Sequence, residues 1–233
     1  LRQIILDTET TGLDPRQGHR VIEIAAVELL NRRLTGNHFH RYLNPDRDIE
    51  EGALQVHGIT REFLQDKPRF GDIAAEFIDF VQGAELIIHN APFDTAFLNA
   101  ELALHGMQEL QSFTAEVIDT LQMARNLHPG QRNSLDALCK RYGIDNSSRT
   151  LHGALLDCEL LAQVYLAMTR GQETLVMESA SPDPRAGGGG NRPRPRPLAA
   201  EIPDGELSAH LELLGQIDKE SGGHCLWLLQ KAS

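Results

Sequence analysis

The sequence predicts an α/β domain, a mixed sheet flanked by helices, that ends near Arg170 and is followed by a linker and a small terminal segment. Three observations predict it. The first 45 residues hold strand-like apolar runs arranged as for a hairpin, residues 84–89 form a further apolar run of strand length, and the segments around and beyond it carry apolar residues at helical spacing.

Residues 4–6 open as a short β-favouring strand that runs into Asp7. Val21–Leu30 and residues 38–43 read as the two arms of a hairpin, with residues 31–37 connecting them. Residues 70–81 place Ile73, Phe77, Phe80 and Val81 at helical spacing; Gly83 stops that helix, and residues 84–89 read as a fourth, buried strand. Helices are expected over residues 92–105, 117–127, 134–142 and 153–169, with Pro92 suited to a first helical turn and Gly143 to a helix end.

Between residues 179 and 200 the composition changes to Pro, Gly, Arg and Ser, with four glycines at 187–190 and alternating Arg and Pro at 192–197. This reads as a linker; about 25 flexible residues span roughly 25–30 Å. Residues 204–220 then place Leu207, Leu211, Leu214 and Ile217 on one face of a helix, and an apolar stretch around Trp227 follows. About 30 residues cannot build a core alone. The segment is expected to fold on a partner, the alternative being a tail that stays unfolded. The expected division is residues 1–170, 171–203 and 204–233.

The 233 residues are 41% apolar, enough for one medium domain with an appendage. No run of 18 apolar residues occurs, and the first residues lead straight into a strand, so the chain reads as soluble and cytosolic, with no membrane partner. Cys139, Cys158 and Cys225 are odd in number and far apart, which argues for reduced, packed thiols rather than a disulfide framework or a metal site. A formal net charge of −11 excludes tight unaided binding to nucleic acid, whose non-specific affinity comes from Lys and Arg. If DNA is the substrate, something else must hold the protein there.

The acidic residues point to chemistry. Residues two apart on a strand face the same way, so Asp7 and Glu9 present adjacent carboxylates. Alone, such a pair usually marks a solvated face; here it ends an apolar strand and precedes Thr10, Thr11 and Gly12. Asp94 follows a buried strand near the start of the next helix, and Asp157 lies one turn inside another helix, five residues after His152. Gly153 lets His152 leave the helix and turn toward Asp157. If the four acids converge, each pair about 4 Å apart repels by up to roughly 4 kcal/mol at an effective dielectric near 20. Such a cluster needs cations. Oxygen ligands favour Mg²⁺ or Mn²⁺, and two such ions about 3.5–4 Å apart suit phosphodiester cleavage. His152 is the expected general base, since histidine titrates near neutral pH. The other nine histidines are expected in surface or packing positions, with His57 and His89 as exceptions near the substrate.

Asp7-x-Glu9, Asp94 and His152-x4-Asp157, in that order, resemble the DEDDh exonucleases over residues 4–169. The resemblance implies a ribonuclease H-like fold and two-metal 3′→5′ hydrolysis, with Asp7, Glu9, Asp94 and Asp157 as ligands of two Mg²⁺ or Mn²⁺ and His152 as base. It further implies substrate contacts at Thr10, Thr11, Gly12, His57 and Asn90. Within that group, Arg132-Asn133-Ser134-Leu135-Asp136-Ala137-Leu138-Cys139 and the nonapeptide from Arg149 to Asp157 are similar to the proofreading subunits of bacterial replicative DNA polymerases. For those proteins a linker motif contacts the sliding clamp and the carboxyl end binds the polymerase catalytic subunit. Here Gln172, Leu175 and Met177 fall in the first place, with Met177 where an aromatic is usual. Leu207, Leu211, Leu214 and Trp227 fall in the second. The implied substrate is a DNA 3′ end, single-stranded or frayed, and a small accessory subunit on the catalytic domain is compatible with the pattern. Tethering would also account for the acidity, because a tethered enzyme gains effective concentration from its partner. Two rivals stay open: an RNA-processing exonuclease of the same fold, and a non-catalytic structural subunit.

Overall fold

The computed structural model describes residues 1–170 and 204–222. The chain separates into two compact units, Leu1–Met177 and Glu178–Ser233. The expected linker, with Gln172, Leu175 and Met177, lies outside the described residues, as do Cys225 and Trp227.

In the first unit, β1 (Arg2–Thr10), β2 (Val21–Leu30) and β3 (Arg33–Tyr42) form an antiparallel meander. β4 (Glu85–Ile88) and β5 (Glu116–Asp119) add in parallel on the other side of β1, giving the order β3-β2-β1-β4-β5. β1 is thus the central strand and is buried on both faces, which is why it reads as a continuous apolar run.

The alternation of β1 splits the interior into two cores. Ile4 and Leu6 face one layer, filled by Phe70, Ile73 and Phe77 of α3 (Phe70–Val81) and by Phe97, Leu98 and Leu102 of α4 (Ala91–Leu104). Phe77 anchors this layer, its ring centroid 5.7 Å from that of Phe39. Ile5 faces the opposite layer, filled by Ala124 of α5 (Thr120–Leu127), by Leu135, Leu138 and Cys139 of α6 (Leu135–Tyr142), and by the buried residues of α7 (Ala154–Met168). Asp7 and Glu9 share the parity of Ile5 and therefore point toward α7. Cys139 and Cys158 are free and buried.

Four features depart from the sequence reading. β3 begins at Arg33, and the hairpin turns on only Asn31 and Arg32, both with positive φ (49° and 64°). Residues 33–38 are exposed on an edge strand, so their polarity resembles a loop. Residues 117–127 are two elements, not one helix: Val117 and Ile118 pair with β4, then the Asp119 side chain accepts from the Leu121 and Gln122 amides and starts α5. α1 (Glu51–His57) and α2 (Arg61–Leu64) lack a clear apolar stripe and escape periodicity. β1 also continues through Asp7 and Glu9 to a bulge at Thr10.

In the second unit, α8 spans Asp204–Glu220, the range read from its leucine spacing. Leu211 and Ile217 are exposed and Leu214 is buried. No described helix is long and apolar enough to cross a membrane.

One ion pair ties the start of β2 to α4. Arg20 donates twice to the Glu101 carboxylate, at 2.7 and 2.6 Å, and the Val21 amide donates to the same group at 3.1 Å. Glu101 is 2% exposed. Arg20→Ala strands that carboxylate without a countercharge, and the expected cost is about 3–5 kcal/mol in urea unfolding. A loss below about 1 kcal/mol would show that the pair does not hold β2 to α4.

Candidate active site

The four acids arrive from three pieces of chain. Asp7 and Glu9 stand at the carboxyl end of β1, where its pairing with β4 has already ended. Asp94 is in the first turn of α4, which begins directly after Asn90. Asn90 adopts the left-handed conformation (φ 70°, ψ 51°), a shape Asn tolerates better than most residues, and its amide donates to Asp119 Oδ1 at 3.1 Å. That turn aims α4 back at β1. Thr8, of opposite parity to Asp7, donates its hydroxyl to Asp94 Oδ1 at 2.7 Å. Asp157 is in the first turn of α7, whose cap is Gly153 in an extended conformation.

Asp7, Glu9, Asp94, Asp157, His152 and Asn90 all line one cleft of about 830 Å³, together with Arg125, Arg132 and Arg149. Glu9, Asp94 and Asp157 are buried, and Asp7 is partly buried at the cleft wall. Burial and the neighbouring carboxylates push Asp7 well above the usual carboxylate range, with Asp94 the strongest neighbour. Burial, then Glu23, Asp157 and Asp94, push Glu9 up to about 8. Burial raises Asp94 to about 7 against the hydrogen bond from Thr8. These buried carboxylates resist becoming anions together, and a cation among them removes that resistance. Atoms of Glu9, His152 and Asp157 lie within 4.8 Å of one another, close enough to share an ion.

His152 sits outside α7, as the glycine suggests, with Nδ1 3.7 Å from Asp157 Oδ2. Its backbone amide donates to Val56 O at 3.1 Å, so α1 is the platform for the histidine. The Leu151 side chain lies over Gly58, where an added Cβ would come within 2.6 Å of it. Burial and the Arg149 guanidinium hold the His152 ring below its ordinary pKa, hence neutral at pH 7.

The expected substrate residues divide. Asn90 lines the cleft. The Thr10 hydroxyl is buried and donates to Gly12 O at 2.7 Å; that of Thr11 accepts from the Arg20 amide at 3.0 Å and bonds His19 Nδ1 at 3.1 Å. Gly12 lets the His19 ring approach, since a Cβ there would come within 2.3 Å of it. These three residues build a rigid turn that delivers Leu13, 80% exposed, to the cleft rim. His57 is buried; its Nδ1 accepts from the Ile59 amide at 3.0 Å, and its Nε2 has no hydrogen-bond partner among the described residues. His89 lines the cleft and bonds Thr120 Oγ1 at 3.0 Å.

Two residues that the sequence reading did not single out complete the site. Glu23 on β2 lies opposite Glu9 in the ladder, accepts from the Ala154 amide at 3.2 Å, and pairs with His40 Nε2 at 2.7 Å. It supplies the acceptor that Gly153 cannot, and so fixes the first turn of α7. An acid amid the apolar residues of Val21–Leu30 was its only signal. Arg149, 6% exposed, grips Asp157 through Nε and Nη2 at 2.5 and 2.6 Å. It sits in the turn before α7, where an arginine looks like any surface cation.

Residues 4–165 match the family model described as Exonuclease, RNase_T. Among curated relatives, a DNA polymerase III subunit epsilon from Pasteurella multocida is 50% identical, over 97% of this chain and 93% of its own length. That of Escherichia coli K12 is 49% identical, over 97% of both. Among solved structures, Exonuclease X in complex with 5′ overhanging duplex DNA is 28% identical, with TM-score 0.58 over 73% of this chain and 92% of that one. The nuclease domain of 3′hExo, a DEDDh family member bound to rAMP, shares the fold at 21% identity and TM-score 0.63, over the same fractions. The chain therefore belongs to the exonuclease family and, within it, to the epsilon subunits of DNA polymerase III, metal-dependent 3′→5′ exonucleases.

Proposed function

We propose that the chain removes mispaired nucleotides from a primer 3′ end as the proofreading subunit of a replicative polymerase, with Asp7, Glu9, Asp94 and Asp157 as metal ligands and His152 as general base. The convergence of four buried or nearly buried carboxylates beside a neutral, accessible histidine in one cleft carries this reading. The donor set suits two Mg²⁺ or Mn²⁺ ions, because hard cations take oxygen ligands and carboxylates this crowded need a countercharge. Bound there, the ions would supply Lewis-acid activation of water and stabilisation of the leaving oxygen.

The residues of the chain do the rest. His152, 46% exposed at its side chain, reaches the cleft and is placed to take the proton of the attacking water once the Arg149 guanidinium no longer donates to its Nδ1. Imidazole nitrogen is a weaker match than oxygen for hard ions, which favours the base role over ligation despite its place near Glu9 and Asp157. Asn90, Leu13 and Phe93 offer polar and apolar contacts for a terminal nucleotide, and Thr10, Thr11 and Gly12 act by shaping the turn behind Leu13. His57 closes α1 directly after Val56, whose carbonyl accepts from the His152 amide. Arg125 and Arg132 on the cleft wall are placed to meet the backbone phosphates of the strand that leads into it. A mispaired end costs less to unpair and so enters the cleft more often.

Three cleft arginines on a chain of net charge −11 give modest DNA affinity, so location must come from partners. The polymerase catalytic subunit is proposed to hold the tail through Leu207, Leu211, Leu214 and Trp227; exposure of Leu211 and Ile217 on α8 supports this, whereas Leu214 is buried and would have to be uncovered to take part. Gln172, Leu175 and Met177 are proposed to touch the sliding clamp. The setting is the cytoplasm.

Labelled DNA with a 3′ mismatch should lose nucleotides stepwise with Mg²⁺, and His152→Ala should slow this by about 10²–10⁴-fold. Full activity in that variant would remove His152 from the mechanism, and cleavage confined to RNA would remove proofreading. Asp7→Asn should abolish cleavage yet raise the midpoint of thermal unfolding without metal by roughly 2–4 °C, since it removes a carboxyl whose ionisation burial and then its neighbours oppose. A lower midpoint would mean that this carboxyl does not burden the fold.

The raised carboxylates also set a pH dependence. Asp7, Glu9 and Asp94 hold protons more tightly folded than unfolded, so metal-free stability should fall as pH rises from about 5 to 8. Mg²⁺ binding should release protons over the same window and reverse the trend. Calorimetry in buffers of different ionisation enthalpy checks this; binding without proton release would count against the ligand set.

A further inference from the structure

Among the described residues, Asp157 is the acid of the cluster that already holds a full cationic partner. The Arg149 guanidinium forms a two-pronged contact with both oxygens of Asp157, at 2.5 and 2.6 Å, and both side chains are nearly inaccessible, at 6% and 5%. The same guanidinium donates through Nη1 to Asp136 Oδ1 at 2.9 Å and through Nη2 toward His152 Nδ1 at 3.2 Å. Arg149 therefore joins an acid, the base and a third group on the cleft wall, Asp136, whose side chain is 56% exposed.

A carboxylate gripped at both oxygens by a guanidinium is a poor ligand for a dication, because the two cations repel across it. Arg149 lies in the turn between α6 and α7, carried by neither helix, and its long side chain has other rotamers. Asp136 opens α6 on the cleft wall and offers a place for the guanidinium to remain when it leaves Asp157.

We propose that Arg149 is an exchangeable internal counter-ion: it neutralises Asp157 and holds His152 before the divalent cation loads, then yields the Asp157 carboxylate to it while keeping Asp136. Arg149 is thus a positioning residue that sets the metal affinity of the site. The inference rests on Asp157 being a metal ligand. Its cost is weaker metal binding, and its benefit is a metal-free site that stays assembled despite its crowded acids.

The test is Mn²⁺ titration of the full chain by calorimetry at fixed pH, with thermal unfolding of the metal-free protein alongside. Arg149→Gln should bind Mn²⁺ on the order of tenfold more tightly, as one charge-assisted pair no longer competes. Its metal-free midpoint should fall, so that Mn²⁺ raises it further than in the unaltered chain. Arg149→Lys should fall between the two, because an ammonium is a point charge and cannot form the fork; it also stands in if the glutamine variant does not fold. Unchanged or weaker Mn²⁺ binding in both variants overturns the proposal and makes Arg149 a fixed support. If Asp157→Asn binds Mn²⁺ as well as the unaltered chain, the ligand assignment fails, and the exchange with it; if Asp157→Asn loses binding but the Arg149 variants gain none, only the exchange fails.

Discussion

The burial of several carboxylates side by side at the end of β1 is the constraint around which this domain is arranged. Asp7, Glu9 and Asp94 each resist ionising first because water is scarce around them, and Asp7 and Glu9 also because neighbouring carboxylates are close. Nothing local favours such a cluster, so the cost of assembling it falls on the rest of the fold. The two apolar layers on either face of the sheet hold β1 rigidly enough to keep its acids in place. Thr8 steadies Asp94 across the strand, and Glu23 steadies the helix that carries Asp157. Strain of this kind is what gives a metal ion its binding energy.

The supporting residues are themselves polar and buried or half-buried, and each works by satisfying a backbone group that its element leaves open. Glu23 accepts from the first amide of α7, Asp119 from the first amides of α5 and from Asn90, and Glu101 from Val21. Helix starts and strand ends expose such groups, and catalytic side chains gather at the same places. Support and chemistry are therefore interleaved, which explains why so many acids serve no ligand role.

That the proposed metal-binding acids gather in one cleft was legible because their signals are local. Asp7 and Glu9 follow from a two-residue period, and Asp157 and His152 from a glycine that separates loop from helix. What the sequence concealed is set by tertiary pairing. Glu23 matters only because β2 lies beside β1 and α7 starts above it, and Arg149 only because a turn folds it back on Asp157. β5 reads as helix in the sequence because four residues are too few to establish a period, and its place is decided by the free edge of β4. α1 was missed for want of an apolar face, although its carbonyl at Val56 holds the His152 segment.

The parity of β1 has one more consequence. Asp7 and Glu9 face one layer while Thr8 reaches Asp94 on the other, so the site straddles the sheet and uses both faces of one strand. A slip of one residue in the pairing of β1 would exchange the faces, turning Ile5 toward the wrong core and the acids away from Asp157. In such a register the acids would no longer meet, so the assembly of the site and the correct pairing of the central strand are one and the same event.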